Sequence, residues 1–234
     1  MRMQFLGDSR DAFKWDLLHQ VVTGAVPRFA GLVVVPMRTP DDAHLSHGKT
    51  PAARFPCHPA ILRFVEGLRT EPRELERIAG LGAIEGLPAF PVQVFEPQRE
   101  FGFGWRRAQY WQDLTGSDLD GKLVFLDPDN GFESAGTAGT RHVRFGEADF
   151  LLRSLPPTSA LCVFHYRPQG QSWDLVFGRI EAGIPADTAM HSIYNGQLGF
   201  VFLSGPATGT RIKAVLSAYR ATHAFLHGRS CDAG

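Results

Sequence analysis

The sequence has little that would tie it to a structural metal, a disulfide scaffold or a bilayer. Its 234 residues include three cysteines, Cys57, Cys162 and Cys231, widely spaced and odd in number. With no CxxC pair and no even set, neither a zinc site nor a disulfide framework is suggested, and a reduced, cytoplasmic setting is expected. Charge of one sign is not in excess, since 24 basic residues face 24 acidic ones. A global drive towards nucleic acid or an anionic membrane is therefore missing, although a local basic patch stays open. No apolar run approaches the roughly 18 residues that span a bilayer. The opening MRMQFLGDSRDAFKW carries charges where a signal peptide needs an apolar core. A soluble protein without a membrane partner is the expectation. The sequence also lacks GxxxxGK[ST], GxSxG and a GxGxxG after its first strand, and Gly102-Phe-Gly104 is only a fragment of such a motif. No repeat, low-complexity block or linker divides the chain, so residues 1–234 are expected to form one domain.

What is present is the ordinary balance of a globular protein, 44% apolar and 21% charged. Residues 13–22 place Phe13, Leu17, Leu18, Val21 and Val22 on one helical stripe, closed by Gly24 and Pro27. Residues 31–36 follow as an uninterrupted apolar strand, the habit of a strand covered on both faces. Further helices are expected over 60–68, over 72–79 with Pro72 in the first turn, over 147–155 and over 211–226, and residues 99–114 are expected to end in one. Strands are expected over 90–95, 123–126, 159–165, 173–180 and 199–203, with a loose tail after Gly228. This alternation implies an α/β fold, a mainly parallel sheet wrapped by helices, with an antiparallel pair at one edge. Residues 37–59 form a long polar loop after a buried strand, with Asp41, Asp42, His44, His47 and Lys49, a usual place for ligand-binding segments. His44, His47 and His58 match no helical metal-binding pair, and no metal site is expected of them.

Four segments could carry chemistry. Asp127-Pro-Asp-Asn-Gly131 follows four apolar strand residues, which puts Asp127 at a carboxyl strand end, where open α/β sheets bind ligands. A carboxylate there can hold an amine or a ribose, coordinate a metal or take a proton. Pro128 stiffens the turn and Gly131 permits a positive φ, so the segment is also good turn chemistry in its own right. Gly7-Asp-Ser-Arg-Asp-Ala-Phe-Lys-Trp15 crowds Asp8, Arg10, Asp11 and Lys14 at a helix entry. Asp8 or Ser9 would serve there as cap, while Lys14 sits beside the buried stripe. His165, Tyr166 and Arg167 would emerge on the same sheet edge as Asp127. Residues 192–199 read as a polar loop able to close over a ligand, or simply as a hairpin loop.

The GDxxDxxKxxLL opening from Gly7 to Leu18, together with the Asp127-Pro-Asp-Asn-Gly131 turn, resembles an uncharacterised bacterial and phage family. More distantly, both are similar to the bacterial 23S ribosomal-RNA adenine-N6 methyltransferase family. Residues 7–15 echo that family's GNHADVLKH-like segment, and Asp127-Pro-Asp-Asn130 corresponds to its DPPY motif. Residues 164–167 and 196–206 fall in the order of its later strands. The resemblance implies a Rossmann-like three-layer sandwich of the class I methyltransferases, S-adenosylmethionine as cofactor, and an adenine of a nucleotide or nucleic acid as substrate. It implies Asp127 and Asn130 as catalytic, with Asp127 accepting a hydrogen bond from the exocyclic amine. Asp8, Asp11 and Lys14 would face the cofactor, and Asp129, His165, Tyr166 and Arg167 the substrate. The chain departs from the pattern at Val35-Pro-Met-Arg38, where an acidic, glycine-rich loop belongs, and at Asn130, which replaces the aromatic that stacks on a flipped base. Two rivals are a Mg²⁺- or Mn²⁺-dependent phosphoester hydrolase using Asp127, Asp129 and Glu133, and a non-catalytic domain that binds a nucleotide or a partner.

Overall fold

A run such as Gly31-Leu-Val-Val-Val35 has no polar face to offer water, so it folds only where both sides are covered. The computed structural model describes residues 2–41, 50–134 and 139–233, and there all five of these residues are buried. The elements in chain order are α1 (Ser9–Gly24), β1 (Gly31–Val35), α2 (Pro59–Leu68), β2 (Val92–Val94), α3 (Trp105–Thr115) and β3 (Lys122–Leu126). The two-residue strands β4 (Gly131–Phe132) and β5 (His142–Val143) follow, then α4 (Phe145–Ser154), β6 (Ala160–Tyr166) and α5 (Trp173–Gly183). The chain closes with β7 (Ala189–Tyr194), β8 (Leu198–Ser204), α6 (Pro206–Thr222) and β9 (His227–Cys231).

Seven strands form one sheet in the order β2-β1-β3-β6-β8-β7-β9, while β4 and β5 pair separately. β2, β1, β3 and β6 are mutually parallel. β8 runs against β6, β7 against β8 and β9 against β7, so the antiparallel part sits at one end. Period-two alternation splits each strand between two cores. Leu32, Val34, Leu123, Phe125, Cys162 and Phe164 face α1, α2 and α6. Val33, Val35, Val124, Leu126, Leu161 and Val163 face α3, α4 and α5. The result is the expected Rossmann-like three-layer sandwich. No helix of the described residues is long and apolar enough to cross a membrane.

Several local expectations are corrected. Residues 173–180 are not a strand but the body of α5. Trp173, Val176, Phe177 and Ile180 recur at helical spacing and are buried, and the Ser172 hydroxyl caps the helix by accepting from Leu175 N. Residues 72–79 do not form an α-helix. A 3₁₀ segment spans Leu75–Ala83, with Leu75, Ile78 and Leu81 buried at the three-residue spacing of that helix. Within 192–199, residues 192–194 belong to β7, a strand that its interrupting His and Ser had masked, and only 195–197 form the hairpin turn. The tail is not loose after Gly228, because β9 pairs with β7 from His227 to Cys231. Helix α1 has no solvent face over its middle. Lys14, Asp16 and His19 are as buried as its apolar stripe, since α1 packs under the sheet, α2, α6 and the 3₁₀ segment. Of the residues singled out in the 37–59 loop, Asp42, His44, His47 and Lys49 lie outside the described residues.

Candidate active site

The alternation of β3 continues one residue past its end. Leu123 and Phe125 face α1, so Asp127 faces α1 too, and its backbone is fixed by Asp127 N donating to Val35 O at 3.0 Å. Opposite it, the start of α1 presents Lys14. The Lys14 ammonium donates to Asp127 Oδ2 at 2.8 Å and to Asp11 Oδ1 at 2.9 Å, and all three side chains are buried. Asp11 also accepts from Gly7 N at 2.7 Å, which ties the turn before α1 to the same network. One buried cation thus serves two buried carboxylates. Burial opposes the charge on Lys14, but Asp11 and Asp127 outweigh it and raise its pKa. Burial raises the Asp127 carboxyl, with Lys14 acting in the other direction.

Asp8 is the cap of α1, its Oδ1 accepting from Arg10 N at 2.8 Å. Its Oδ2 is buried and, among the described residues, has no hydrogen-bond donor, while Arg10 Nε lies 3.5 Å away. Burial, reinforced by the charge of Asp11, pushes the Asp8 carboxyl up to about 6. Asp129 accepts from the Thr39 hydroxyl at 2.6 Å and pairs with Arg2 Nε at 3.3 Å. Burial works against its ionisation, yet these partners help hold the carboxyl below its ordinary range. Asn130 accepts from Tyr166 N through its backbone carbonyl at 3.0 Å, and its side-chain amide lies 3.3 Å from His142 Nε2. Gly131 has φ +103°, and a Cβ there would stand 2.5 Å from His165 Cγ, so only glycine fits.

These groups enclose a cleft of about 350 Å³ between the start of α1 and the carboxyl ends of β3 and β6. Asp8, Asp11, Lys14, Asp127, Asp129, Asn130 and Tyr166 all line it. Two of the expected residues do not. His165 lies on the opposite face of β6, beside the rings of Phe132 and Trp173, and its Nδ1 donates to Tyr166 O at 2.6 Å. Burial pushes its imidazole down to about 4, so it is neutral. Arg167 is exposed, and its backbone N donates to Gln197 O at 2.8 Å. Glu133 is likewise elsewhere, accepting from Phe145 N at 2.9 Å at the start of α4. Asp127, Asp129 and Glu133 therefore do not converge, and among the described residues no group of three or more His, Cys, Asp or Glu could hold a metal ion.

Sequence reasoning missed Arg2, Phe5, Arg141 and Phe164, which also line the cleft. Phe164 was within reach, because it shares the strand parity of Tyr166. Arg2, Phe5 and Arg141 carry no local signal and arrive by tertiary contact alone.

No protein-family model matches the chain, and no curated protein does. Among solved structures, the chain is similar to the crystal structure of a Legionella pneumophila str. Philadelphia 1 protein assigned to the family DUF519. The two are 12% identical, with a TM-score of 0.44 over 97% of this chain and 98% of the other.

Proposed function

We propose that this chain is an S-adenosylmethionine-dependent methyltransferase acting on the exocyclic amine of an adenine base, in a nucleotide or a nucleic acid. One observation carries the reading. The Lys14–Asp127 contact of 2.8 Å joins two motifs 113 residues apart in a single cleft. That cleft stands at the carboxyl ends of β3 and β6, which are neighbours in the parallel part of the sheet. Open α/β sheets bind ligands outside the carboxyl ends of their strands.

The walls fit an amine-bearing, cationic cofactor, since Asp8 Oδ2 is a buried acceptor that has no donor among the described residues. Residues 35–38 supply no glycine-rich loop, so Asp8, Asp11 and Lys14 would hold the cofactor from the α1 side. When bound, S-adenosylmethionine supplies an electrophilic methyl group. Asp127, whose carboxylate oxygens each carry two lone pairs, would accept from an amine N–H beside its contact with Lys14 and orient the nitrogen lone pair. Asp127 positions the amine through hydrogen bonding, and no strong base is required. Tyr166 and Phe164 form an aromatic wall beside the reacting centre. Burial raises the Tyr166 phenol, which keeps it protonated at neutral pH.

Calorimetry with S-adenosylmethionine tests the reading. Binding to the wild type should weaken about tenfold or more in Lys14→Ala, the loss of one charge-assisted contact. Absence of binding at millimolar cofactor would sink it.

A further inference from the structure

A second cavity of about 540 Å³ adjoins the first, on the far side of Arg10 and Tyr166, which line both. Its balance of charge differs. The first cleft sets four acids, Asp8, Asp11, Asp127 and Asp129, against four cations, Arg2, Arg10, Lys14 and Arg141. The second has no acidic residue among the described residues that line it, and it carries Arg10 and Arg54 with the hydroxyl-bearing Ser9 and Thr50. Arg54 is exposed and lines the second cavity. Arg10 is held in a fixed place. Its guanidinium carbon lies 4.6 Å from the Phe5 ring centre and 5.3 Å from that of Tyr166, with Asp8 behind it. A guanidinium thus already lies over two aromatic rings at the junction of the chambers.

We propose that the second chamber is an anion subsite, built to take the phosphate of a ligand whose other end lies in the Asp-lined cleft. Arg54 and Arg10 are its cationic residues, and Tyr166 is the partition across which the ligand passes. Arginine suits this role because its planar fork matches phosphate oxygens in pairs and stays charged at any working pH. The juxtaposition gives the ligand's make-up. Carboxylate acceptors on one side suit amine donors, an aromatic edge suits a flat ring, and arginines on the other side suit phosphate. A nucleotide with an exocyclic amine has these three parts in that order. The nature of the far end rests on the proposed reading of the first cleft, whereas the anion subsite stands on its own walls.

The test uses the full chain and three probes in calorimetry: adenosine, adenosine 5′-monophosphate and inorganic phosphate. The nucleotide should bind about tenfold or more tightly than adenosine, as expected for one charge-assisted arginine contact. Arg54→Gln should erase that advantage and leave adenosine binding unchanged. Because Arg54 is exposed, the variant should melt at the wild-type temperature, which separates lost binding from lost folding. Phosphate alone should bind weakly and compete with the nucleotide but not with adenosine. Phosphate binding that Arg54→Gln weakens, in a protein that ignores adenosine and S-adenosylmethionine, supports the anion subsite while the methyltransferase reading fails. Equal affinities for nucleotide and nucleoside, an advantage that survives Arg54→Gln, or no response to phosphate-bearing probes at millimolar concentration would each overturn the proposal.

Discussion

Lys14 is the residue on which the site balances. It is a single ammonium 2.8 Å from Asp127 and 2.9 Å from Asp11, with all three groups removed from water. A buried ion pair is a weak stabiliser when whole, but removing one partner leaves charge buried without compensation. Lys14→Met strands two carboxylates and should cost about 3–5 kcal/mol, read from urea unfolding. The pH sign follows from the raised pKa of Lys14. Its stabilising contribution is fully present below the unfolded value of about 10.4 and fades only above it. The difference between wild type and Lys14→Met attributable to the ammonium should therefore hold steady across pH 7 to 9 (a range set by that reference value).

At the scale of elements, the site depends on β3 turning sharply into β4 without leaving the sheet edge. The turn works because Gly131 takes φ +103° and lets its backbone press against the His165 ring. Gly131→Ala meets both a left-handed backbone penalty and a Cβ 2.5 Å from His165 Cγ. It should destabilise by about 2–4 kcal/mol in thermal or urea unfolding, and it should loosen ligand binding through displacement of Asp127. A loss below about 0.5 kcal/mol, the range of an ordinary surface change, would contradict this account of the turn. The helix α5 shows a different lesson at the same scale. Trp173, Val176, Phe177 and Ile180 carried a helical period, and the Ser172 cap preceded it, yet the short apolar stretch also suited a strand. Periodicity over so few residues does not separate the two, and the cap was the signal to weigh.

For the whole molecule, the buried titratable groups set an acid response with two opposing parts. Burial lowers His165 to about 4 and also lowers His19, His142 and His191. These imidazoles fold neutral, so the stability they permit is present above the unfolded value of about 6.5 and is lost as pH falls towards their folded values. Asp8, pushed up to about 6, works the other way. The folded state takes its proton before the unfolded state does, so this group disfavours folding at neutral pH and ceases to do so on acidification. Asp8→Asn keeps the α1 cap and removes that opposing part. In urea melts it should be more stable than wild type at pH 7.5, on the order of 2 kcal/mol, with the advantage vanishing near pH 4. An advantage that grows on acidification would reverse the assignment.

The sequence by itself determined the layers and the side of its strand on which Asp127 lies. Uninterrupted runs such as residues 31–35 and 123–126 demanded cover on both faces, and period two placed Asp127 on a known side of its strand. These are local properties, fixed by the geometry of an extended chain. Parity also held the answer for β6, where Phe164 and Tyr166 share a face and His165 does not, although grouping by sequence neighbourhood obscured it. Only the tertiary structure decided that the start of α1 lies against the end of β3. That contact brings Lys14 between Asp11 and Asp127, buries Asp8 with one oxygen unmatched, and sets Arg10 between Phe5 and Tyr166. No periodicity encodes such contacts, because which helix covers which strand end depends on the order of strands in the sheet. That order is settled by the packing of the whole chain.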